Sequence, residues 1–149
     1  MAYFIFTKNL SEGNLYKIAS NDADKDALHF SPAHSIVKDV SDEDFLKIRS
    51  ERSQVYLDDN DNVVIEDRSC SYAQASELQG TIDSHIKLCN RFIEDRDNEN
   101  NPLLSRVTSY RDMCQSFDVS TINFPLNDTW EGYLLDNSID FISPLQFCV

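Results

Sequence analysis

The residues of this 149-residue chain that could do acid–base, nucleophilic or metal chemistry are three histidines (His29, His34, His85), four cysteines (Cys70, Cys89, Cys114, Cys148) and 26 Asp and Glu. Each kind of chemistry demands its own spacing. A calcium loop needs alternating oxygen ligands, a glycine at its sixth position and a glutamate at its twelfth. Asp22, Asp24 and Asp26 alternate, as do Asp95, Asp97 and Glu99, but neither series has that glycine or glutamate, so both read as solvated helix ends and turns. The cysteines form no C-x-x-C pair and have no local histidine, which argues against a zinc knuckle and a disulfide framework. His29 and His34 bracket Ser31-Pro32-Ala33 without further ligands at a useful spacing. A nucleophilic triad would need a marked Ser or Cys, and no nucleophile-elbow sequence singles one out. Paired carboxylates are everywhere in so acidic a chain, so their presence decides nothing. With three glycines in all, phosphate-cradling loops are excluded. The expectation is a protein without catalytic, cofactor-binding or metal-binding residues, not an enzyme, and with no small-molecule substrate.

The elements that position these residues are clearer than their chemistry. Two stretches, Tyr72 to Asp95 and Pro102 to Phe117, carry apolar residues at alternating steps of three and four, the spacing that lines one face of a helix. The first face runs Leu78, Ile82, His85, Cys89, Phe92, with Ile86 and Ile93 beside it; the second runs Leu103, Val107, Tyr110, Cys114, Phe117. Joined by the polar break Arg96 to Asn101, they should close into an antiparallel hairpin. On that seam Cys89 and Cys114 act as small hydrophobes and His85 as a core or interface histidine. Ser71 and Gln74 form a candidate capping box for the first arm, and Asn101-Pro102 an N-cap and first helical residue for the second. Gly80, inside the first arm, marks a close approach or a weak point.

Residues 1–67 read as short strands mixed with short helices. Tyr3 to Thr7 and Leu15 to Ser20 flank Ser11-Glu-Gly-Asn14, a hairpin in which Gly13 would supply a positive φ. Asn21 and Ser41 precede acid-rich first turns, the pattern of N-caps, with Asp44 at the capping-box position. Ser35 to Val40 is a further strand. Gln54 to Leu57 and Asn62 to Glu66 flank Asp58-Asp-Asn-Asp61, a turn built from residues that tolerate left-handed backbone. The fold class is therefore α+β in a single domain spanning residues 1–149: a small antiparallel meander sheet with short helices, an antiparallel helical hairpin over 72–117, and an extended tail over 118–149 containing one short helix near Asn127 to Leu135. The tail is rich in large apolar side chains for its length, so it either packs back on the hairpin or docks on a neighbour. Trp130, Phe141, Ile142, Leu145, Phe147 and Val149 are accordingly the candidate partner-binding residues.

Composition narrows the classes of partner. The formal charge is −13, from 13 Lys and Arg against 26 acids spread along the chain, a field that repels phosphate backbones. No basic patch interrupts it, so nucleic acid is not an expected partner, and the aromatic residues of the first 72 positions read as sheet core and not as a base-stacking platform. No apolar run approaches the ~20 residues that span a bilayer, and the amino terminus lacks a signal-peptide pattern. The chain is expected to be made in the cytoplasm, with no membrane partner.

Three stretches carry a family likeness: Met1-Ala-Tyr-Phe-Ile-Phe6, Glu12-Gly-Asn-Leu-Tyr-Lys-Ile-Ala-Ser-Asn-Asp-Ala-Asp-Lys-Asp-Ala-Leu28, and Ile122-Asn-Phe-Pro-Leu-Asn127. They resemble small virion-associated or tail-assembly proteins of marine tailed bacteriophages. The resemblance covers most of the chain in layout but carries no catalytic motif, so it transfers no active-site residue. It implies a virion location and partners that are other phage structural proteins or copies of the chain itself. The function expected on that basis is a structural component of tail, neck or baseplate. The alternatives are a tail or fibre assembly chaperone that stays outside the virion, or an acidic inhibitor that mimics nucleic acid.

Overall fold

A computed structural model describes residues 1–8, 13–28 and 30–147; the side chains of Lys8, Gly13, Asn14 and Tyr16 are not described. The fold is α+β. Five strands, β1 (Ala2–Lys8), β2 (Gly13–Ala19), β3 (Ser35–Val40), β4 (Ser53–Leu57) and β5 (Val63–Asp67), form one antiparallel sheet in the order β3-β1-β2-β4-β5. The order corrects the expected meander, because β3 returns to the far side of β1. The reason lies in β1 itself. Ala-Tyr-Phe-Ile-Phe has no polar alternation, so both of its faces and both of its edges must be covered. Ala2, Phe4, Ile5 and Phe6 are fully buried.

The two faces of the sheet belong to different cores. Tyr3, Ile5 and Ala19 point toward the helical hairpin, whereas Ala2, Phe4, Phe6 and Ile18 pack with Phe45 and Ile48 of α2 (Asp42–Arg49). The sheet is thus the middle of three layers. Local chemistry sets the helix starts: Asn21 Oδ1 accepts from the Asp24 amide at 2.8 Å to open α1 (Asp22–Asp26), and Ser41 Oγ accepts from Asp44 at 3.1 Å to open α2. At the β4–β5 turn, the Asp58 carboxylate accepts from the amides of Asn60 and Asn62 at 2.8 and 2.9 Å. These bonds, with that to Asn62 foremost, hold its pKa below the usual value. Asp61 takes the left-handed conformation there, φ 58°. The β1–β2 turn, residues 9–12, lies outside the described residues, and Gly13 sits inside β2 with no positive φ.

The hairpin consists of α3 (Ala75–Glu94) and α4 (Leu104–Ser116). Leu78, Ile82, His85, Cys89 and Phe92 are the buried residues of α3, and Leu103, Val107, Tyr110 and Cys114 are buried on the facing arm. The starts of both arms differ from expectation. Ser71 makes no cap, since α3 begins after Gln74 and the Glu77 carboxylate instead accepts from the Ala73 amide at 2.7 Å. The Asn101 side chain accepts from the Leu103 amide at 2.9 Å in the turn before the helix, which begins at Leu104, two residues later than expected, with Leu103 and not Asn101 at its N-cap.

Gly80 is exposed, and a β-carbon there would meet nothing within 4 Å. It is a weak point and not a close approach. Gly80→Ala should therefore stabilise the protein by about 1 kcal/mol, the helix-propensity difference, read as a higher urea midpoint at unchanged slope.

The tail folds back. Helix α5 (Trp130–Asp136) is opened by Thr129, whose Oγ1 accepts from the Gly132 amide at 2.9 Å. Trp130, Phe141, Ile142 and Phe147 are all buried in the hairpin core. Arg49 clamps the last segment, with its guanidinium 4.0 Å from the Phe141 ring centroid and Nη2 donating to the Phe141 carbonyl at 2.5 Å. Four of the six candidate partner-binding residues are therefore core residues and offer no surface. Leu145 is half-buried beside the second core, and Val149 lies outside the described residues. Apolar side chains on a piece too short to bury them found their burial within the chain.

Candidate functional site: a buried polar cluster and the groove beside it

The polar side chains most unusual for their surroundings meet where α5 packs into the hairpin. His85 comes from the buried face of α3, Tyr110 and Cys114 from that of α4, and Trp130 and Glu131 from the first turn of α5. His85 Nδ1 lies 2.6 Å from Tyr110 Oη, and Trp130 Nε1 donates to the same oxygen at 3.0 Å. Tyr110 Oη thus serves two partners on two helices.

On the other edge of the imidazole, His85 Nε2 is 3.5 Å from Glu131 Oε1. That carboxyl oxygen is buried and has no hydrogen-bond partner among the described residues. Geometry alone would suggest an ion pair, but burial opposes charge on both groups. It pushes Glu131 up to about 8, with the neighbouring charge of Glu51 adding to the rise, and lowers His85 to about 4. At neutral pH the contact therefore joins an uncharged imidazole to a largely protonated carboxyl. Burial likewise raises the Cys114 thiol to about 11 and lifts Tyr110 well above the ordinary phenol range. At neutral pH the Cys114 thiol and the Tyr110 phenol therefore stay protonated.

Around this core lies a strained, charge-dense rim. Glu51 follows the last turn of α2 in the left-handed conformation, φ 55°, where glycine is the usual residue. Burial raises its carboxyl pKa, against the pull of Arg68. Arg52 forms a fork on Asp128, Nε to Oδ1 at 3.0 Å and Nη2 to Oδ2 at 2.8 Å, and also reaches Asp136 at 2.6 Å and the Gly132 carbonyl at 3.1 Å. The fork, together with Thr129 Oγ1 donating to the Ser50 carbonyl at 2.5 Å, fixes the start of α5 to the α2–β4 turn. Beside it a groove of about 680 Å³ is lined by Arg52, Arg68, Ser69, Cys70, Ser71, Asn127, Asp128 and Thr129.

Gly132 is what lets the fork sit so close. A β-carbon there would lie 2.6 Å from Arg52 Nε and 2.8 Å from Thr129 Oγ1, and closer still to Asp128 Oδ1. These atoms are held by one another's hydrogen bonds and have little room to yield. Gly132→Ala should therefore destabilise the protein by about 2 kcal/mol in spite of its gain in helix propensity, an overpacking penalty. The check is a pairing experiment: in an Asp128→Ala background the same substitution should cost much less, because the nearest obstructing atom is gone and the Arg52 side chain it anchors is released.

The sequence places His85, Cys89, Tyr110 and Cys114 on the correct seam but gives no role to Glu131, Glu51 or the Arg52 fork. The available signal was Thr129-Trp-Glu-Gly132, a capped helix start that sets an acid beside a tryptophan. His29 lies outside the described residues and His34 is exposed. Among the described residues no three His, Cys, Asp or Glu are placed to hold a metal ion, and no helix is long and apolar enough to cross a membrane. Compared with protein-family models, with curated proteins and with solved structures, the chain matches none.

Proposed function

We propose that this protein works by binding and not by catalysis, as a structural or interaction component of the tail, neck or baseplate of a tailed bacteriophage particle. The observation that carries the non-catalytic part is the enclosure of its acid–base groups. His85 and Glu131 are 9% and 2% exposed, and neither lines the groove beside them nor the cavities at Ser105–Phe141 and Lys17–Phe147. A general acid must reach its substrate within hydrogen-bond distance, and these are closed off by α5.

Binding surface, by contrast, is plentiful. The sheet face under α2 is incompletely covered: Leu15, Ile36, Val40, Val63 and Ile65 are half-buried, and Leu46 of α2 is 43% exposed. Strands β3 and β5 are sheet edges. Edges and uncovered apolar faces are what assembling proteins bury against neighbours. The particle itself is suggested by the likeness of Met1–Phe6, Glu12–Leu28 and Ile122–Asn127 to small phage virion proteins.

Mass spectrometry of particles purified from the phage that encodes the chain tests this. Stoichiometric presence in intact virions is the expected result. Detection in infected lysate bound to a tail protein, with absence from particles, would replace it with the assembly-chaperone reading.

A further inference from the structure

We propose that the groove between Arg68–Ser71 and Asn127–Thr129 binds a small ligand through an oxyanion, a carboxylate or phosphate group seated against the Arg68 guanidinium. The inference goes beyond the virion reading and does not depend on it.

The argument starts from which groups in the groove are already occupied. Arg52 is engaged through Nε and Nη2 by Asp128, Asp136 and the Gly132 carbonyl. Asp128 is neutralised in turn, and its pKa is held below the usual value first by the hydrogen bond from Arg52. The Thr129 hydroxyl is used twice, to Ser50 and from Gly132. These residues make a stiff wall in which one guanidinium is shared by two carboxylates.

Arg68 is different. It is exposed, and its side chain has no hydrogen bond or ion pair among the described residues. Glu51 and Glu131 lie within its electrostatic reach, but neither takes a hydrogen bond or ion pair from it. The Arg68 guanidinium therefore keeps its N–H donors free for a ligand, on a protein of formal charge −13. Beside it, the Ser69 and Ser71 hydroxyls and the Asn127 carboxamide likewise have no hydrogen-bond partner among the described residues. A guanidinium fork with hydroxyl and amide donors around it is an oxyanion receptor in its chemistry.

Size and field select the class of ligand. A volume of about 680 Å³ is that of a small-molecule site. The surrounding negative field disfavours polyanions such as nucleic acid and leaves ligands of one or two charges. Structural strain gathers next to the groove, in the left-handed Glu51 and the unpartnered Glu131 oxygen, residues that flank its wall and do not line it. Costs of that kind concentrate where a site is being shaped.

The test is a titration of the ¹⁵N-labelled full-length protein with inorganic phosphate and, separately, with succinate, against sodium chloride at matched ionic strength. Saturable shifts in the amides of residues 68–71 and 127–129 are expected with at least one of the two probes, and which one responds identifies the oxyanion. Arg68→Gln should weaken that binding about tenfold or more, as loss of a charge-assisted hydrogen bond does, while its melting temperature stays that of the parent because the side chain is exposed. Ser69→Ala with Ser71→Ala should weaken it less. Shifts equal to those from chloride, no saturable shifts with either probe, or an affinity that Arg68→Gln leaves unchanged, would each overturn the proposal.

Discussion

Glu131→Gln is expected to stabilise the protein above pH 7 and to remove a loss of stability that the parent shows as pH rises toward 8. The sign follows from where the proton sits. Burial, and then the charge of Glu51, raise the Glu131 carboxyl from its ordinary 4.5 to about 8 in the fold. Between those values the native state holds a proton that the unfolded chain has released, so stability is fully present below about pH 4.5 and is lost as pH climbs through 8. At 1.36 kcal/mol per decade the whole span is worth about 5 kcal/mol. Glu51, raised by its own burial, adds in the same direction.

His85 works the opposite way. Burial lowers it from 6.5 to about 4, so the unfolded chain takes up a proton that the native state refuses as pH falls through that window. The loss there is about 3 kcal/mol. The two slopes nearly cancel between pH 4.5 and 6.5, leaving a plateau, with a fall of about 2 kcal/mol from 6.5 to 8 that belongs to the carboxyl. Urea unfolding at half-unit steps from pH 5 to 8.5 reads this directly. The glutamine variant keeps the shape of the side chain and an N–H to face His85, and its stability should stay level above pH 6.5. Parallel curves for parent and variant would show that Glu131 is not the group that titrates.

Trp130→Ala is expected to destabilise the protein by about 3–5 kcal/mol, the range for deleting a large aromatic from a closed core. Trp130 is fully buried, with Phe117 edge-on at 4.9 Å between centroids and Tyr133 stacked at 6.0 Å. Its indole N–H also supplies the bond that orients Tyr110 Oη, and through it His85. Trp130→Phe should keep most of the packing and cost about 1–2 kcal/mol, the share of the lost hydrogen bond and the smaller ring. Thermal unfolding separates this from the docking role expected of Trp130 in the sequence. A docking residue truncated to alanine would leave the melting temperature alone and change binding instead.

Much of the architecture was legible because it is local or periodic. The caps at Asn21 and Ser41 need one side chain and an amide three residues on, and both formed. The hairpin faces are a repeat in the chain, and every residue from Leu78 to Phe92 on the expected face is buried. Where a local signal had a competitor it failed. Ser71 lost its capping role to the bridge between Tyr72 and Leu126, whose paired backbone bonds of 2.8 and 2.9 Å hold residue 72 extended and delay the helix. For the tail the sequence left two outcomes, packing back on the hairpin or docking on a neighbour, because nothing near it in sequence could cover it. Its cover, Tyr3, Ile5 and Phe92 among others, lies far away along the chain.

What the sequence by itself determined, then, is the inventory: an acidic α+β chain whose helices, turns and apolar faces follow from spacing and capping, each a relation among residues a few positions apart. Only the tertiary structure decided the rest. It set β3 against β1, returned the tail to the core, and brought His85, Tyr110, Trp130 and Glu131 from three helices into one buried cluster beside the Arg52 fork. The physical reason is that desolvation, charge coupling and orphaned hydrogen-bonding groups are properties of a place in space, and spacing along a chain does not encode who will share it.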